Sequence, residues 1–251
     1  MVKLRNVTVV YPGAADQRSD AERTPAIDNI DLTVSEGESI AVIGGNGAGK
    51  TTLLLAMVGI LETSKGTIEI DGIRLEKKTL NEIRKRTGLV FQNPDDQLFM
   101  PLIYDDIAFG SRNIGLPEGT VEKRVDETLN RLKITHLRKR SSLKLSAGEK
   151  RMAAIATVLA MEPSVLLFDE PTAFLDPKAR RSLIETLNTL HHTKIVATHD
   201  LAFAAETCGR LIILKSGRIA ADGAIPLLYD RELMSHCDLE AIEDASLHLW
   251  T

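Results

Sequence analysis

The eight residues Gly44-Gly45-Asn46-Gly47-Ala48-Gly49-Lys50-Thr51 constrain this chain more than any other stretch of it. They fit the pattern G-x-x-x-x-G-K-[ST], preceded by the apolar run ESIAVIG and followed by TTLLLAMVGIL. A strand that ends in such a loop and opens into a helix gathers backbone N–H groups around one spot, and the helix N-terminus adds positive potential there. Gly45, Asn46, Gly47 and Gly49 are candidates for cradling phosphate oxygens. Lys50 is the candidate for the terminal phosphates, and the Thr51 hydroxyl for Mg²⁺.

The rest of the chain must supply a core that supports this loop. With 251 residues, 43% of them hydrophobic, it can fill one large domain or two small ones. Its longest apolar stretches, Leu53 to Leu61 and Met152 to Met161, fall short of the roughly 18 to 20 residues that cross a bilayer. MVKLRNVTVVYPG has no apolar stretch followed by a small-residue cleavage site, so the expected compartment is the cytoplasm. Cys208 and Cys237 lack both disulfide-framework and metal-ligand spacing and read as small, partly buried hydrophobes. A net charge of −4 gives no overall electrostatic reason to bind nucleic acid.

Apolar runs ending in Gly or acidic residues alternate with helix-period stretches, the pattern of a mostly parallel sheet covered by helices. Ser39 to Ile43, Gly88 to Phe91, Val165 to Phe168 and Ile195 to Thr198 are the expected core strands. Ile30-Leu32-Val34, Thr67 to Ile70, and the pair Leu211 to Leu214 and Arg218 to Ala221 are expected to form a small antiparallel layer. Between Gln97 and Met161 helical signals take over, with Val121, Val125, Leu129 and Leu132 marking one helix face. The fold class expected is α/β, a P-loop NTPase core with a mostly parallel sheet, a small antiparallel β layer and an inserted helical subdomain. The core takes about 1–91 and 162–222, the helical subdomain about 92–161, and a short extension about 223–251, within one domain spanning 1–251. Gly13 to Thr24 is polar and aperiodic, a surface loop.

Two further features bear on the site. The run VLLFDE, Val165 to Glu170, ends in two carboxylates at the strand end where α/β sheets bind ligands. A Mg-nucleotide site uses one carboxylate near the metal, here Asp169, and another to orient the attacking water, here Glu170. In LSAGE, Ser146 and Glu149 have capping-box spacing before an apolar run, so Ser146 is expected to cap a helix. That helix start is a second anion-ready N-terminus, one more than a single nucleotide in a monomer requires.

In their order, GGNGAGKTT, Gln92, LSAGE, LLFDEPT, Phe174-Leu175-Asp176 and Thr198-His199-Asp200 resemble the nucleotide-binding subunit of an ATP-binding-cassette transporter over nearly the whole chain. The resemblance implies that ATP and Mg²⁺ are bound. Gln92 is the Q-loop glutamine it implies, His199 the switch histidine, Asp176 the D-loop aspartate, and LSAGE the signature motif. Gln92, Glu170 and His199 would act in catalysis, Thr51, Gln92 and Asp169 on Mg²⁺, and Thr52 beside the P-loop on the nucleotide. Two subunits would form a head-to-tail sandwich in which Ser146, Gly148 and Asp176 reach the partner's nucleotide. Tyr11 is similar to the family's adenine-stacking aromatic, with packing on its own sheet as the competing reading. Ala147 departs from the usual signature glycine, and Glu149 replaces the commoner glutamine.

FQNPDDQLF, YDDIAFGSRNIGLP, LSAGEKR and DGAIPLLYDRELMSHCDLE are similar to ATPase subunits of energy-coupling-factor importers, especially the cobalt or nickel type. Such subunits sit on the cytoplasmic face of the cell membrane with a second ATPase subunit, a membrane coupling subunit and a substrate-binding membrane subunit. A homodimer is plausible on one complete motif set, and pairing with a paralogue stays open. Phe99, Met100, Ile107 and Phe109 are candidates for the docking surface or equally for the helical core. His191-His192 read as a solvated helix end, since adjacent helical side chains point about 100° apart. A vitamin-type importer is the near alternative. A cassette ATPase acting on DNA or ribosomes and a nucleotide kinase are the distant ones, and no nucleic-acid partner is expected.

Overall fold

The computed structural model describes residues 1–11 and 24–242. Ten strands are described, β1 Val2–Val9, β2 Ile27–Val34, β3 Ser39–Ile43, β4 Lys65–Ile70, β5 Ile73–Arg74, β6 Thr87–Val90, β7 Val165–Asp169, β8 Thr193–Ala197, β9 Arg210–Lys215 and β10 Arg218–Ala224. The helices are α1 Lys50–Met57, α2 Leu80–Arg86, α3 Ile103–Asn113, α4 Glu118–Arg131, α5 Ala147–Leu159, α6 Pro177–Asn188, α7 Leu201–Thr207 and α8 Arg231–His236.

The main sheet has the order β10-β9-β3-β8-β7-β6, with every pairing from β9 to β6 parallel and only β10 antiparallel. All five residues of β7 and of β8 are buried, as strands covered on both faces require. Their pleat divides the core. Leu166 and Phe168 face one apolar layer with α3 to α6, while Val165 and Leu167 face another with α1 and the second sheet. That second sheet is wholly antiparallel in the order β2-β1-β4-β5.

The four core strands occur where the apolar runs place them, within a residue or two at each end. The hairpin made by Leu211–Leu214 and Arg218–Ala221 does not. It forms one edge of the main sheet, with β9 parallel to β3, and not part of the antiparallel layer. A hairpin pattern specifies how its two strands pair and leaves open which sheet they join. Its turn still joins the two layers, because Asp28 N–H donates to the Gly217 carbonyl at 2.8 Å and Gly217 N–H donates to the Ala48 carbonyl at 3.1 Å. β1 was not expected. Its alternation breaks at Arg5-Asn6, where the ladders to β2 and β4 shift register and Asn6 takes φ 49°.

Helices α3, α4 and α5 lie between β6 and β7 in the chain. Val121, Val125 and Leu129 of α4 are buried as their spacing predicts. α5 is apolar nearly all round and correspondingly buried, from Met152 through Ala156. Cys208 and Cys237 are free and buried. His192 corrects the reading of the histidine pair. It lies in the connection between α6 and β8, half-buried with Nδ1 lacking a partner among the described residues, and burial lowers its pKa. Of the loop Gly13–Thr24, all but Thr24 falls outside the described residues.

Gly88 makes a close approach between β6 and α5, since a Cβ there would sit 1.9 Å from Val158 Cγ1. Gly88→Ala is expected to destabilise the fold by about 1–3 kcal/mol, read by thermal or urea melting. Adding Val158→Ala to it is expected to recover part of that loss, because the two side chains would compete for one space.

Candidate active site

The loop between β3 and α1 wraps a cleft of about 440 Å³ lined by Tyr11, Ala26, residues 46–52, Gln92, Glu170 and His199. Its shape follows from the sequence. Gly49 has φ 103°, which L side chains rarely adopt, and a Cβ on it would lie 2.6 Å from the Ala26 carbonyl oxygen. As the N-cap of α1 it supplies no side-chain cap, and the first turn carries no acidic residue. The N–H groups at this helix start are therefore available to an anion. Lys50 Nζ donates to the Gly44 carbonyl at 2.8 Å and the Gly45 carbonyl at 3.3 Å, and lies 3.9 Å from Glu170 Oε1.

β7 delivers the two carboxylates to the floor. Thr51 Oγ1 lies 2.9 and 3.1 Å from the two Asp169 oxygens. Burial, reinforced by the Glu170 carboxylate, raises the Asp169 pKa against the opposing Thr51 hydrogen bond and the charges of Lys50 and Arg151. Asp169 makes no ion pair among the described residues. A buried carboxylate beside a hydroxyl is a hard oxygen donor set of the kind that holds Mg²⁺ together with substrate phosphates. No cluster of three His, Cys, Asp or Glu suited to a metal occurs among the described residues.

Glu170 continues β7 for one bond, its N–H donating to the Ala197 carbonyl at 2.8 Å, and then turns with φ 43°. A non-glycine residue at positive φ is strained, and such strain concentrates at functional sites. Its Oε2 accepts from the His199 N–H at 3.1 Å and the Thr198 hydroxyl at 3.3 Å, and lies 2.7 Å from His199 Nδ1. The backbone of the β8 exit thus fixes the carboxylate, and the imidazole is hinged to it. Tyr11 places its hydroxyl 2.9 Å from Thr52 Oγ1 and stays 47% exposed, standing at the cleft rim as an aromatic surface.

Ser146, Gly148 and Asp176 are not in this cleft. They line a second one of about 600 Å³. Ser146 caps α5 in a capping box with Glu149, whose carboxylate accepts from the Ser146 N–H at 2.8 Å. That bond holds the Glu149 carboxyl below the usual carboxylate range. Asp176 caps α6 through the Ala179 N–H at 2.9 Å. Ala147 is exposed and lines a cleft with Asn93, Pro94 and Ala173.

Among the docking candidates Phe99 and Phe109 are exposed and meet edge to face at 5.1 Å. Ile107 is fully buried and belongs to the helical core. Buried Asp106 holds the loop that presents Phe99, its Oδ1 accepting from the Phe99 and Met100 N–H groups at 3.0 and 2.9 Å. Asp106, Gln97 and Arg151 escaped sequence reasoning, each being a polar residue at a position whose neighbours suggest a solvated face.

A phosphate-binding loop, paired carboxylates at the next strand end but one, and a parallel sheet with an attached antiparallel layer define a P-loop nucleoside triphosphatase. The ABC transporter family model matches residues 27–173. A putative ABC transporter ATP-binding protein of Geobacter sulfurreducens is 44% identical over 241 residues, covering 96% of this chain and 93% of that protein. The energy-coupling factor transporter ATP-binding protein EcfA of Carboxydothermus hydrogenoformans is 40% identical over 243 residues, covering 96% and 87%. The solved structure of cbiO1 from Clostridium perfringens, described as part of the ABC transporter complex cbiONQ, superposes with TM-score 0.79 at 36% identity, covering 92% of this chain and 91% of that one. A dimeric post-hydrolysis structure of the ATP-binding cassette MJ0796 with ADP and Pi gives 0.77 at 28% identity, covering 90% and 99%. The chain belongs to the ABC transporter family, and it is an ATPase. No helix among the described residues is long and apolar enough to cross a membrane.

Because burial raises the Asp169 pKa above its unfolded value, ionising it opposes folding at neutral pH. Its contribution is most favourable below the unfolded pKa and is lost as pH rises through the raised one. Asp169→Asn is therefore expected to raise the nucleotide-free Tm at pH 7 by a few °C, on the scale at which about 1 kcal/mol moves a domain this size. That gain is expected to shrink as the pH falls toward 4, while Mg-dependent hydrolysis is lost.

Proposed function

We propose that this chain powers the import of a small nutrient, first of all cobalt or nickel ion, through separate membrane subunits of an energy-coupling-factor transporter. The carrying observation is the pairing of a complete ATP cleft with a signature helix whose capped N-terminus lies outside that cleft. That arrangement suits a head-to-tail dimer in which Ser146, Gly148 and Asp176 contact the partner's nucleotide. The dimeric MJ0796 cassette supports it. EcfA and cbiO1 as relatives support the transporter type. The choice of cobalt or nickel rests on the resemblance of FQNPDDQLF, YDDIAFGSRNIGLP and the DGAIPLLYDRELMSHCDLE tail. The second reading is a vitamin-type importer, which the EcfA relatives accommodate equally, since they support the energy-coupling-factor type alone.

In this reading Gly45, Asn46, Gly47, Gly49 and Lys50 bind the phosphates, Thr52 lies beside them, and Tyr11 stacks on the adenine. Thr51, Gln92 and Asp169 hold Mg²⁺, which when bound neutralises charge developing on the phosphate oxygens. Glu170 orients the water and accepts its proton at Oε1 or Oε2. His199 holds the γ-phosphate from its free ring nitrogen while Nδ1 stays on Glu170. The division into a core of 1–91 and 162–222, a helical subdomain of 92–161 and an extension belongs to the same proposal, as does attachment to the inner face of a membrane.

Glu170→Gln is expected to bind MgATP with near-normal affinity, hydrolyse it on the order of 10² to 10⁴ times more slowly and accumulate as a closed dimer on gel filtration. Hydrolysis at the wild-type rate would reject Glu170 as the base. Affinity purification from detergent-solubilised native membranes, with mass spectrometry of co-purifying integral proteins, tests the transporter assignment. Recovery of a coupling subunit supports it, and uptake assays with cobalt, nickel and vitamins then separate the cargoes. Phe99→Asp, in the exposed aromatic pair, is expected to lower that recovery about tenfold or more, as loss of a buried aromatic anchor does at other interfaces.

A further inference from the structure

α5 begins at the capping box of Ser146 and Glu149 and, five residues on, carries Arg151, the foremost of the fully buried side chains at 1% exposure. The guanidinium Nη1 donates to the Phe91 carbonyl and Nη2 to the Gln92 carbonyl, both at 2.7 Å. These are successive carbonyls at the point where β6 ends and Gln92 enters the ATP cleft. A planar fork on two successive carbonyls fixes the peptide plane between them in a way that a lysine, with one flexible point charge, cannot.

Two more bonds tie the same segment to the same helix. Gln97 donates through Nε2 to the Ala154 carbonyl at 2.8 Å and the Thr157 hydroxyl at 2.7 Å, while its Oε1 accepts from the Phe91 N–H at 3.2 Å. Lys150 pairs with Asp95 at 2.6 Å. The backbone of Phe91 is therefore held at both its N–H and its carbonyl by groups whose own anchor is α5.

Stability alone does not account for this choice of residue. Burial lowers the Arg151 pKa to about 10, and its Nε is buried with no partner among the described residues. A buried charge without a counter-ion costs desolvation that hydrogen bonds to two neutral carbonyls offset only in part. What an apolar residue cannot do is make the position of Gln92 follow the position of α5.

We propose that Arg151 is a positioning residue that couples the two ATP sites of the dimer, transmitting engagement of the signature helix with one nucleotide to Gln92 at the other. The inference rests on the head-to-tail pairing proposed above. In that pairing the N-terminus of α5 meets the partner's nucleotide, whereas Gln92 serves the nucleotide bound to its own chain. One rigid helix, a little over one turn between Ser146 and Arg151, then joins the two sites. The coupling is reciprocal, so each site's occupancy biases the geometry of the other.

The test uses the full chain with Arg151→Met, which keeps length and packing, and Arg151→Lys, which keeps the charge and loses the fork. Steady-state ATPase is measured against ATP concentration, together with Tm and the binding of a fluorescent ATP analogue. Arg151→Met is expected to lower the Hill coefficient from near 2 toward 1 as coupling between the sites is lost, and kcat about tenfold because Gln92 is no longer held in place. Analogue binding is expected to stay within about twofold, since the P-loop is untouched, and Arg151→Lys is expected to fall between. Should Arg151→Met fail to fold, Arg151→Lys and Gln97→Met carry the same comparison. A folded variant of either residue 151 type with wild-type Hill coefficient and kcat would overturn the coupling role. The pairing itself is read separately by ATP-driven dimerisation of Glu170→Gln. A dimer with unaffected Arg151 variants rejects the inference alone, whereas no dimer and a wild-type Hill coefficient of 1 reject both.

Discussion

The cradle at the end of β3 depends on close backbone contact between two sheets. Gly49 passes so near the Ala26 carbonyl that a side chain there has no room. The Gly217 turn holds Ala48 by one hydrogen bond and β2 by another. The loop that gathers N–H groups toward a phosphate is thus supported from outside by the antiparallel sheet and by the β9–β10 hairpin. Its open helix start, which would be a liability in a buried loop, is stable because a ligand anion can satisfy it. The second sheet therefore serves the site as well as the core.

From that cradle the carboxylates follow through strand order. β8 lies between β3 and β7, so the P-loop and the acidic end of β7 emerge on the same side of the sheet with a strand's width between them. The gap is bridged by Thr51 reaching Asp169 and by Lys50 approaching Glu170. The intervening strand is not idle, since its exit supplies the Thr198 hydroxyl and the His199 amide that fix Glu170. Burial makes the Asp169 carboxylate unfavourable in isolation, a local instability that a bound cation would relieve.

Much of this was legible because it is encoded locally. The glycine pattern, the apolar runs of β3, β7 and β8, and the S-x-x-E box each state their structure within about eight residues. β1 was illegible because a bulge at Asn6 breaks its period. The place of β9 and β10 in the main sheet depends on contacts more than a hundred residues away in the chain. Arg151 reads as the last charge of a polar helix start, yet its partners lie 59 and 60 residues upstream. His192 looked solvated only while the packing between α6 and β8 was unknown. Local signals place elements and caps. Which polar side chain turns inward is decided by the neighbour that arrives from elsewhere.

The Asp106 clamp has a consequence for recognition. One carboxylate oxygen takes two consecutive amides, closing the short loop before α3 into a fixed shape with Phe99 standing out beside Phe109. An exposed aromatic on a loose loop loses conformational entropy whenever it is bound, and that loss is subtracted from the affinity. Here the ordering is done during folding, against the desolvation of a buried acid. A surface that packs on this face meets a preorganised aromatic step, so its binding free energy is set by fit more than by the restraint of a moving loop.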